Sequence, residues 1–576
     1  MKKILVALVL VMSILAAACG GGATPAASPG ASSGASPGAS PGASPGASPG
    51  ASPGAAPSAS APAQPLPTPA QTIETEKIAD FMTYAGFNAS WDMSPWKQEG
   101  SSADTIGPAL WGGLMVFPHF ATPLEDMQND MAKSVTFSAD KLTATIELYD
   151  YVHDSKGNPI KAEDVVFSYG MAPTMNSKFS HVGQLVSITA TGEYTVEMKL
   201  NTVGAGVWEN LLGYCPVVSK SWYESSSDEE KSNDPATTGS YKVIENVPGT
   251  SITITALDDY WQTKELMNDV RQQNVRTVKL VCIVEDGMRS IALENGEIDS
   301  AKIAAFDIDK YIGNPDFGIF SVLHGNVTNM IFNCNPGSVL DNVALRKAIL
   351  HAIDTDQVRI AGQGHPSFGV SANDTGHPLA SDFDPAWNNE PYFEYNLDLA
   401  KQYMDEAGYG ANSGLTIRFM CKNHPYQMAG AAVVQSYLAA IGINIEILAF
   451  DTALYNTYLR ESDEWDIIWL IAGATSGLVL DSWNYYFGAW SNNGTVGFIR
   501  DEKLQALLVD AIQIHDKASM NAFRSYVNEQ AYGRNLYTEE LMYVAQPGIT
   551  NMKGNFQSNP ALTESGFASD YQSRAR

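Results

Sequence analysis

Residues 325–354, GNVTNMIFNCNPGSVLDNVALRKAILHAID, constrain this chain more than any other stretch. Met330, Ile331 and Phe332 read as a short buried strand, and Asn-Pro-Gly punctuation follows. Asp341 or Asn342 then caps a helix in which Leu345, Ala348, Ile349, Ala352 and Ile353 recur at the spacing of one apolar stripe. A strand feeding a helix that must bury one face belongs to a layered α/β domain. The unit sits mid-chain with strand and helix signals on both sides, so the layers extend in both directions.

Downstream the alternation is regular. Asn396 caps a helix through Ala407 that Gly408 ends, residues 415–420 read as a strand, and 428–441 as an amphipathic helix. Residues 443–450 and 466–471 read as strands, 501–537 as mainly helix, and 543–545 as a last short strand. Strands and helices alternating at these lengths predict a largely parallel sheet with helices on its faces. Upstream the signals are mixed: 142–148 and 194–200 alternate like half-exposed strands. Between them NPIKAEDVVFSY (158–169) is a turn and then a helix, with Glu163 and Asp164 where negative charge suits the macrodipole. Residues 240–247 and 250–257 pair about Pro248-Gly249, 275–284 is a strand, and 286–293 a helix closed by Asn295-Gly296.

The N-terminal part cannot join these layers. Residues 23–69 are Ala, Ser, Pro and Gly with repeated SPGA, too poor in apolar surface to offset the entropy of ordering. Before them, Lys2 and Lys3 precede an apolar run from Ile4 to Leu15 and small residues up to Cys19, the pattern of a secretory signal over 1–18. That run is shorter than the roughly 18 residues of a spanning helix, and no other stretch is long and apolar enough. The LAAAC junction resembles a bacterial lipoprotein signal, with Ala16 where an apolar residue is usual and Leu15 one step further out. The resemblance makes Cys19 the lipidation site and the lipid the only membrane contact, an anchor that tethers without embedding. Residues 19–76 are then a flexible tether of root-mean-square span roughly 40 Å.

With 35 basic and 63 acidic residues the net charge is −28, which repels nucleic acid and anionic lipid. Cys215, Cys282, Cys334 and Cys421 have no CxxC spacing, so neither a zinc site nor a thioredoxin-like motif is expected, and free buried thiols are. No cofactor and no metal is expected: HxH, HxxxH and HExxH are all absent.

Several segments, taken in order, resemble the family 5 (cluster C) solute-binding proteins of bacterial ABC importers, which take dipeptides, oligopeptides, nickel complexes and some sugars. NPIKAEDVVFSY is similar to the family's G-x-P-hydrophobic-T-A-x-D-V segment, with Lys161 in place of Thr. ATTGSYKVIEN (236–246) with DDYW (258–261) resembles its G-x-G-P-Y-x-V…N-x-x-Y-W, with Ser240 in place of proline. ALENGEIDSAKI (292–303), the 325–354 unit, LDLAKQYMDEAGY (397–409) and AAIGINIEI (439–447) follow in family order, so the likeness covers about 78 to 550. It implies a two-lobed, periplasmic-binding-protein-like α/β fold of class II, with an extra subdomain in lobe one. Lobe one would occupy 77–324, lobe two 325–537, and 538–576 would return to lobe one and end in a tail.

The resemblance also implies an extracytoplasmic receptor, not an enzyme, that closes on a small solute and presents it to permease subunits. An oligopeptide is the first expectation, and an oligosaccharide or other neutral polar solute the second. An exported hydrolase is a poorer match, because GxSxG and HExxH are absent and no SxxK has a suitable setting. Three segments are candidates for the ligand. FNASWDMSPW (87–96) matches the loop after the family's first strand and offers Trp91 and Trp96; AGQGHPSFGVSANDTGHP (361–378) holds His365 and His377, expected as polar loop residues. Residues 454–490 supply Tyr455, Trp469, Asp481, Trp483, Tyr485 and Tyr486, rings that suit peptides and sugars alike. Peptide-binding members place an amine-holding aspartate after a G-W pair here. By position it falls near Thr475 in AGATSG, which lacks both residues, and Asp481 is the candidate replacement.

Overall fold

Among the described residues the central sheet has eleven strands, the short Val370–Ser371 and ten along its main path: β1 (Ala79–Gly86), β2 (Tyr241–Val247), β3 (Ser251–Ala256), β4 (Val275–Cys282), β5 (Ser300–Ile303), β6 (Gly318–Phe332), β7 (Thr416–Lys422), β8 (Asn444–Phe450), β9 (Ile467–Gly473) and β10 (Gly533–Ala545). The structure is a computed structural model describing residues 79–573, apart from 87–91, 98–100, 120, 176, 373, 391–392, 411–412, 460, 462–463, 474–476, 489–495 and 556–558. The expected signal segment and tether (1–76) with Cys19, and the candidate site residues Trp91 and Thr475, lie outside the described residues.

Across the sheet the order is β8-β7-β9-β6-β10-β5-β1-β4-β3-β2, with Val370–Ser371 paired onto β10. β7 is parallel to β8 and β9, and β1 is parallel to β4 and β5. In the middle, however, β6 runs antiparallel to β9 and β10, and β10 antiparallel to β5. The sheet is therefore mixed, which corrects the expectation of a largely parallel one. The cause is the chain path: β6 carries the chain out of one half, β10 brings it back, and neighbours travelling in opposite directions must pair antiparallel.

β6 and β10 are also far longer than the short strands read at 330–332 and 543–545. The helix Lys517–Gln530 stops where Ala531 turns left-handed (φ 55), and Gly533 opens β10. β10 is covered on both faces for most of its length, so no apolar–polar alternation marks it. In β6, Gly325 sits at a register break between Leu323 and Val327, which hides the strand's continuity from a residue-type reading.

Apolar side chains fall into two main cores. One gathers β1 to β4 with Leu541, Tyr543 and Ala545 of β10; the other runs from Met330 to Tyr537. The expected crossings near 325 and 538 lie within β6 and β10. In the first half, Ala132–Phe137, Thr143–Leu148, Leu185–Gly192 and Thr195–Leu200 form a separate four-stranded antiparallel sheet. It packs Ala144, Ile146, Val196 and Met198 into the first core. In the second half, Asn342 caps Val343–Ala352 through bonds from Ala344 N (3.0 Å) and Leu345 N (3.3 Å), and the whole apolar stripe is buried. Cys215, Cys282, Cys334 and Cys421 are free thiols, and no described helix is long and apolar enough to cross a membrane.

One buried ion pair ties lobe one's loops together. Arg271 meets Asp130 at 2.6 Å, and Asp130 also accepts from Gly113 N (3.0 Å) and Gln262 Nε2 (2.9 Å). Arg271 further donates to the carbonyls of Pro108 and Trp111. Removing the acid would leave a guanidinium shut away from water. Asp130→Ala should therefore cost about 3–5 kcal/mol of stability, read as a lower midpoint in urea unfolding.

Candidate ligand-binding site

The two halves meet at two sets of contacts, here termed the rims of the gap between the cores. On one, Ala205 N donates to Ile512 O at 3.1 Å, and Gly477 packs so closely that a Cβ there would lie 2.2 Å from Ala121 Cα. On the other, His365 Nε2 reaches Asp309 at 3.2 Å and the rings of Phe306 and Tyr426 lie 6.2 Å apart. β6 and β10 cross between these rims.

Charged residues of both lobes gather near the Phe306–Tyr426 contact, where the His424 ring lies 5.3 Å from that of Tyr426. Lys302 of β5, Lys422 at the end of β7 and Glu539 of β10 all keep part of their surface accessible. Even so, burial pulls Lys302 and Lys422 below the usual lysine range and pushes Glu539 above the carboxylate range. Glu539 partly offsets the effect on Lys302, and Lys302 that on Glu539. His424 is also held down, first by burial and then by Lys302 and Lys422, with Asp286 opposing them.

Carboxylates gather at the first rim. Burial raises Glu209, Asp481 and Glu125 raise it further, and His515 opposes them. Asp481 lies in the first turn of the helix Val479–Phe487. Tyr485 is one turn further on and electrostatically coupled to Tyr455, whose ring lies 5.2 Å from the Lys422 ammonium. Glu209, Asp481 and Glu125 thus form one acidic group, and Lys302, Lys422 and His424 a second group that also holds Glu539 and Asp286.

The aromatic residues expected to line it divide sharply. Trp96 is buried in lobe one, its Nε1 donating to Pro216 O at 3.0 Å and its ring 5.2 Å from Tyr223. Trp483 is wholly buried, with Nε1 on Thr375 O (3.0 Å) and its ring between Trp387 (5.8 Å) and Phe523 (4.7 Å). Trp469 packs on Phe419 and Tyr537, Tyr486 meets Asn329, and Tyr455 donates to Trp469 O at 2.6 Å. Trp96, Tyr455, Trp469, Trp483 and Tyr486 are therefore core residues, which corrects their reading as surfaces for the ligand. Apolar rings dense in sequence can serve a lobe's interior as readily as its face. Tyr485 and Asp481 remain half-buried at the gap. His377 is likewise interior, its Nδ1 accepting from Leu379 N at 3.0 Å, rather than the polar loop residue expected. Lys302, Lys422, His424, Glu539 and Glu209 escaped the sequence reading. For Lys422 a signal existed: a lysine closing an apolar strand of a parallel set stands where ligands of α/β sheets bind.

The sequence profile described as bacterial extracellular solute-binding proteins, family 5 Middle, matches residues 126–495, well over half of the chain. The chain belongs to this family. As a family 5 solute-binding protein it falls among binding proteins rather than enzymes, and among proteins described as extracellular. A Brucella ovis protein, provisionally named an ABC transporter peptide-binding protein, is 26% identical over 62% of this chain and 66% of its own length, just under two thirds. The ABC transporter substrate-binding protein CtaP of Listeria monocytogenes superposes with a TM-score of 0.72 at 19% identity, covering 85% of this chain and 100% of its own. DppA of Helicobacter pylori, solved with the peptide STSA, gives 0.67 at 20%, covering 85% and 98%. Both share the two-lobed fold.

Two variants separate the core from the gap. Trp483→Ala should cost about 3–5 kcal/mol of stability, seen as a clear drop in melting temperature, because it empties a packed cavity. Gly477→Ala should hold the rims apart, since the Cβ has no room and φ is +74°. It should cost about 1–3 kcal/mol against rim contact, and small-angle scattering should report a larger radius of gyration than the parent's.

Proposed function

We propose that this family 5 protein captures an oligopeptide between its lobes and delivers it to the permease of an ABC importer. In this reading Cys19 carries lipid and residues 19–76 tether a body made of lobe one (77–324), lobe two (325–537) and a return segment (538–576). The polarity of the gap carries the proposal. A peptide is a zwitterion with an ammonium at one end and a carboxylate at the other. Glu209 and Asp481 form an acidic pair on one side, and Lys302 and Lys422, both shifted by burial, lie about His424 on the other. A neutral sugar would leave those desolvated charges unanswered, at considerable cost. The name of the Brucella relative and the peptide in the Helicobacter structure support the same choice. Closing is driven only by a ligand that binds both lobes together better than one alone, and an extended peptide reaching from one charged group to the other meets that condition.

Titration calorimetry against mixed tetrapeptides and against mixed oligosaccharides tests the reading. Peptides should bind one to one, with a change in tryptophan fluorescence and no turnover. Asp481→Asn should weaken binding about tenfold to a hundredfold, as expected for losing a hydrogen bond to a charged group. Saturable binding of the sugars alone, or hydrolysis of the peptides, would overturn it.

A further inference from the structure

At the first rim a histidine stands among carboxylates of both lobes. His515 ends the helix Glu502–Ile514 in a left-handed turn (φ 49°), close behind Ile512, whose carbonyl accepts from Ala205 N of lobe one at 3.1 Å. That bond crosses from lobe to lobe, so the His515 ring is held beside the seam. Its Nε2 lies 3.2 Å from Asp382 Oδ2, while Asp382 Oδ1 accepts from Val479 N at 2.6 Å. Val479 opens the helix whose first turn holds Asp481. Across the seam Glu209 occupies the first turn of the helix Val207–Gly213, and it feels His515 and Asp481 of lobe two and Glu125 of its own lobe.

The other charged groups around this seam are engaged elsewhere or lie in solvent. Lys517 binds Asp384 at 2.6 Å, Asp516 accepts from Ser519 N at 2.8 Å to cap its own helix, and Asp510 is exposed. On lobe one Asp126 is exposed beside Glu125, and His119 meets Thr122 at 3.2 Å. Residues 200–206, which bear Ala205, carry no charge. With a neutral ring, therefore, the seam holds carboxylates from both lobes, Glu209 and Glu125 from one and Asp481 and Asp382 from the other. With a protonated ring, a cation stands among them. The side chain of His515 is 33% exposed, so protons reach it from the solvent.

We propose that His515, with Glu209 across the seam, is a proton-operated latch that holds this rim together in acid and releases it as the medium turns alkaline. Both groups act with the same sign. Burial raises Glu209, Asp481 and Glu125 add to the rise, and His515 opposes it. A carboxyl raised by contact between lobes takes a proton more readily in contact than apart, so its contribution to contact is present at acid pH and lost as the pH climbs through the raised value. An imidazolium between acids of both lobes likewise favours contact only while it keeps its proton. The latch uses no group of the ligand, and it stands or falls separately from the peptide reading.

Hydrogen exchange followed by mass spectrometry, on the full-length protein without ligand, tests it. The Ala205 amide reports rim contact directly, because its partner lies across the seam. Corrected for the intrinsic pH dependence of exchange, its protection should fall about threefold to tenfold between about pH 5.5 and about pH 8. Amides of the helix Val343–Ala352 should keep theirs. His515→Gln retains a donor for Asp382 but takes up no proton, and it should lose most of the dependence at Ala205. Glu209→Gln should reduce it. Melting temperatures check that both variants fold, and if His515→Gln does not, Glu209→Gln decides: a dependence equal to the parent's would overturn the latch. So would level protection at Ala205 in the parent, the parent's full dependence in a folded His515→Gln, or an equal loss in the Val343–Ala352 amides, which would mean that the whole body loosens.

Discussion

The pairing of β6 with β10 is the constraint on which the rest of the molecule depends. These two strands hold one another from Gly318 opposite Ala545 to Ile331 opposite Gly533, and each half of the sheet grows outward from them. Their opposite directions follow from one strand leaving lobe one and the other returning to it. That crossing contributes to the mixed character of the sheet, since β9 joins β6 and β5 joins β10 antiparallel, while β7 stays parallel to β8 and β1 to β4, and β3 and β2 add a further antiparallel edge. The ladder is broken between Leu323 and Val327. A pair with fewer bonds there bends at that point more cheaply than elsewhere, which suits two bodies that close on a solute.

One continuous sheet runs through both lobes, and the rim contacts join them on either side of it. Charges placed in the gap between them are expensive when it is empty and effective when it is filled. Lys302, Lys422 and Glu539 lose water that the protein only partly replaces, and the shifts at all three report that loss. The same poverty of water strengthens any interaction a charged guest makes with them. The charges are also unevenly placed: Glu125 and Asp481 surround Glu209, while Lys302 and Lys422 lie about His424 with Asp286 opposing them.

The aromatic residues show how composition misleads about location. The run at 483–490 is denser in rings than a helix needs on one face, and a ligand platform was a reasonable expectation. The helix Val479–Phe487 instead buries Trp483, Tyr486 and Phe487 inward, against Phe523 and Trp387, and leaves Asp481 and Tyr485 at the gap. One helical turn thus separates side chains that hold the lobe together from side chains available to a guest.

Local chemistry made much of the fold legible in the residue order. Asn342 and Asn396 cap their helices, the stripe from Leu345 to Ile353 is buried, and the strands at 143–148, 195–200, 416–422 and 444–450 lie close to where their patterns put them. Each of those features is decided by neighbours a few residues away. The family was legible too, because its segments recur in order along the chain. Tertiary structure alone decided the length of β6 and β10, the core placement of Trp96 and Trp483, and the bringing of Lys302 and Asp286 within electrostatic reach of His424. A strand covered on both faces carries no alternation to read, and a charge becomes part of a site only when distant parts of the chain shut water away from it.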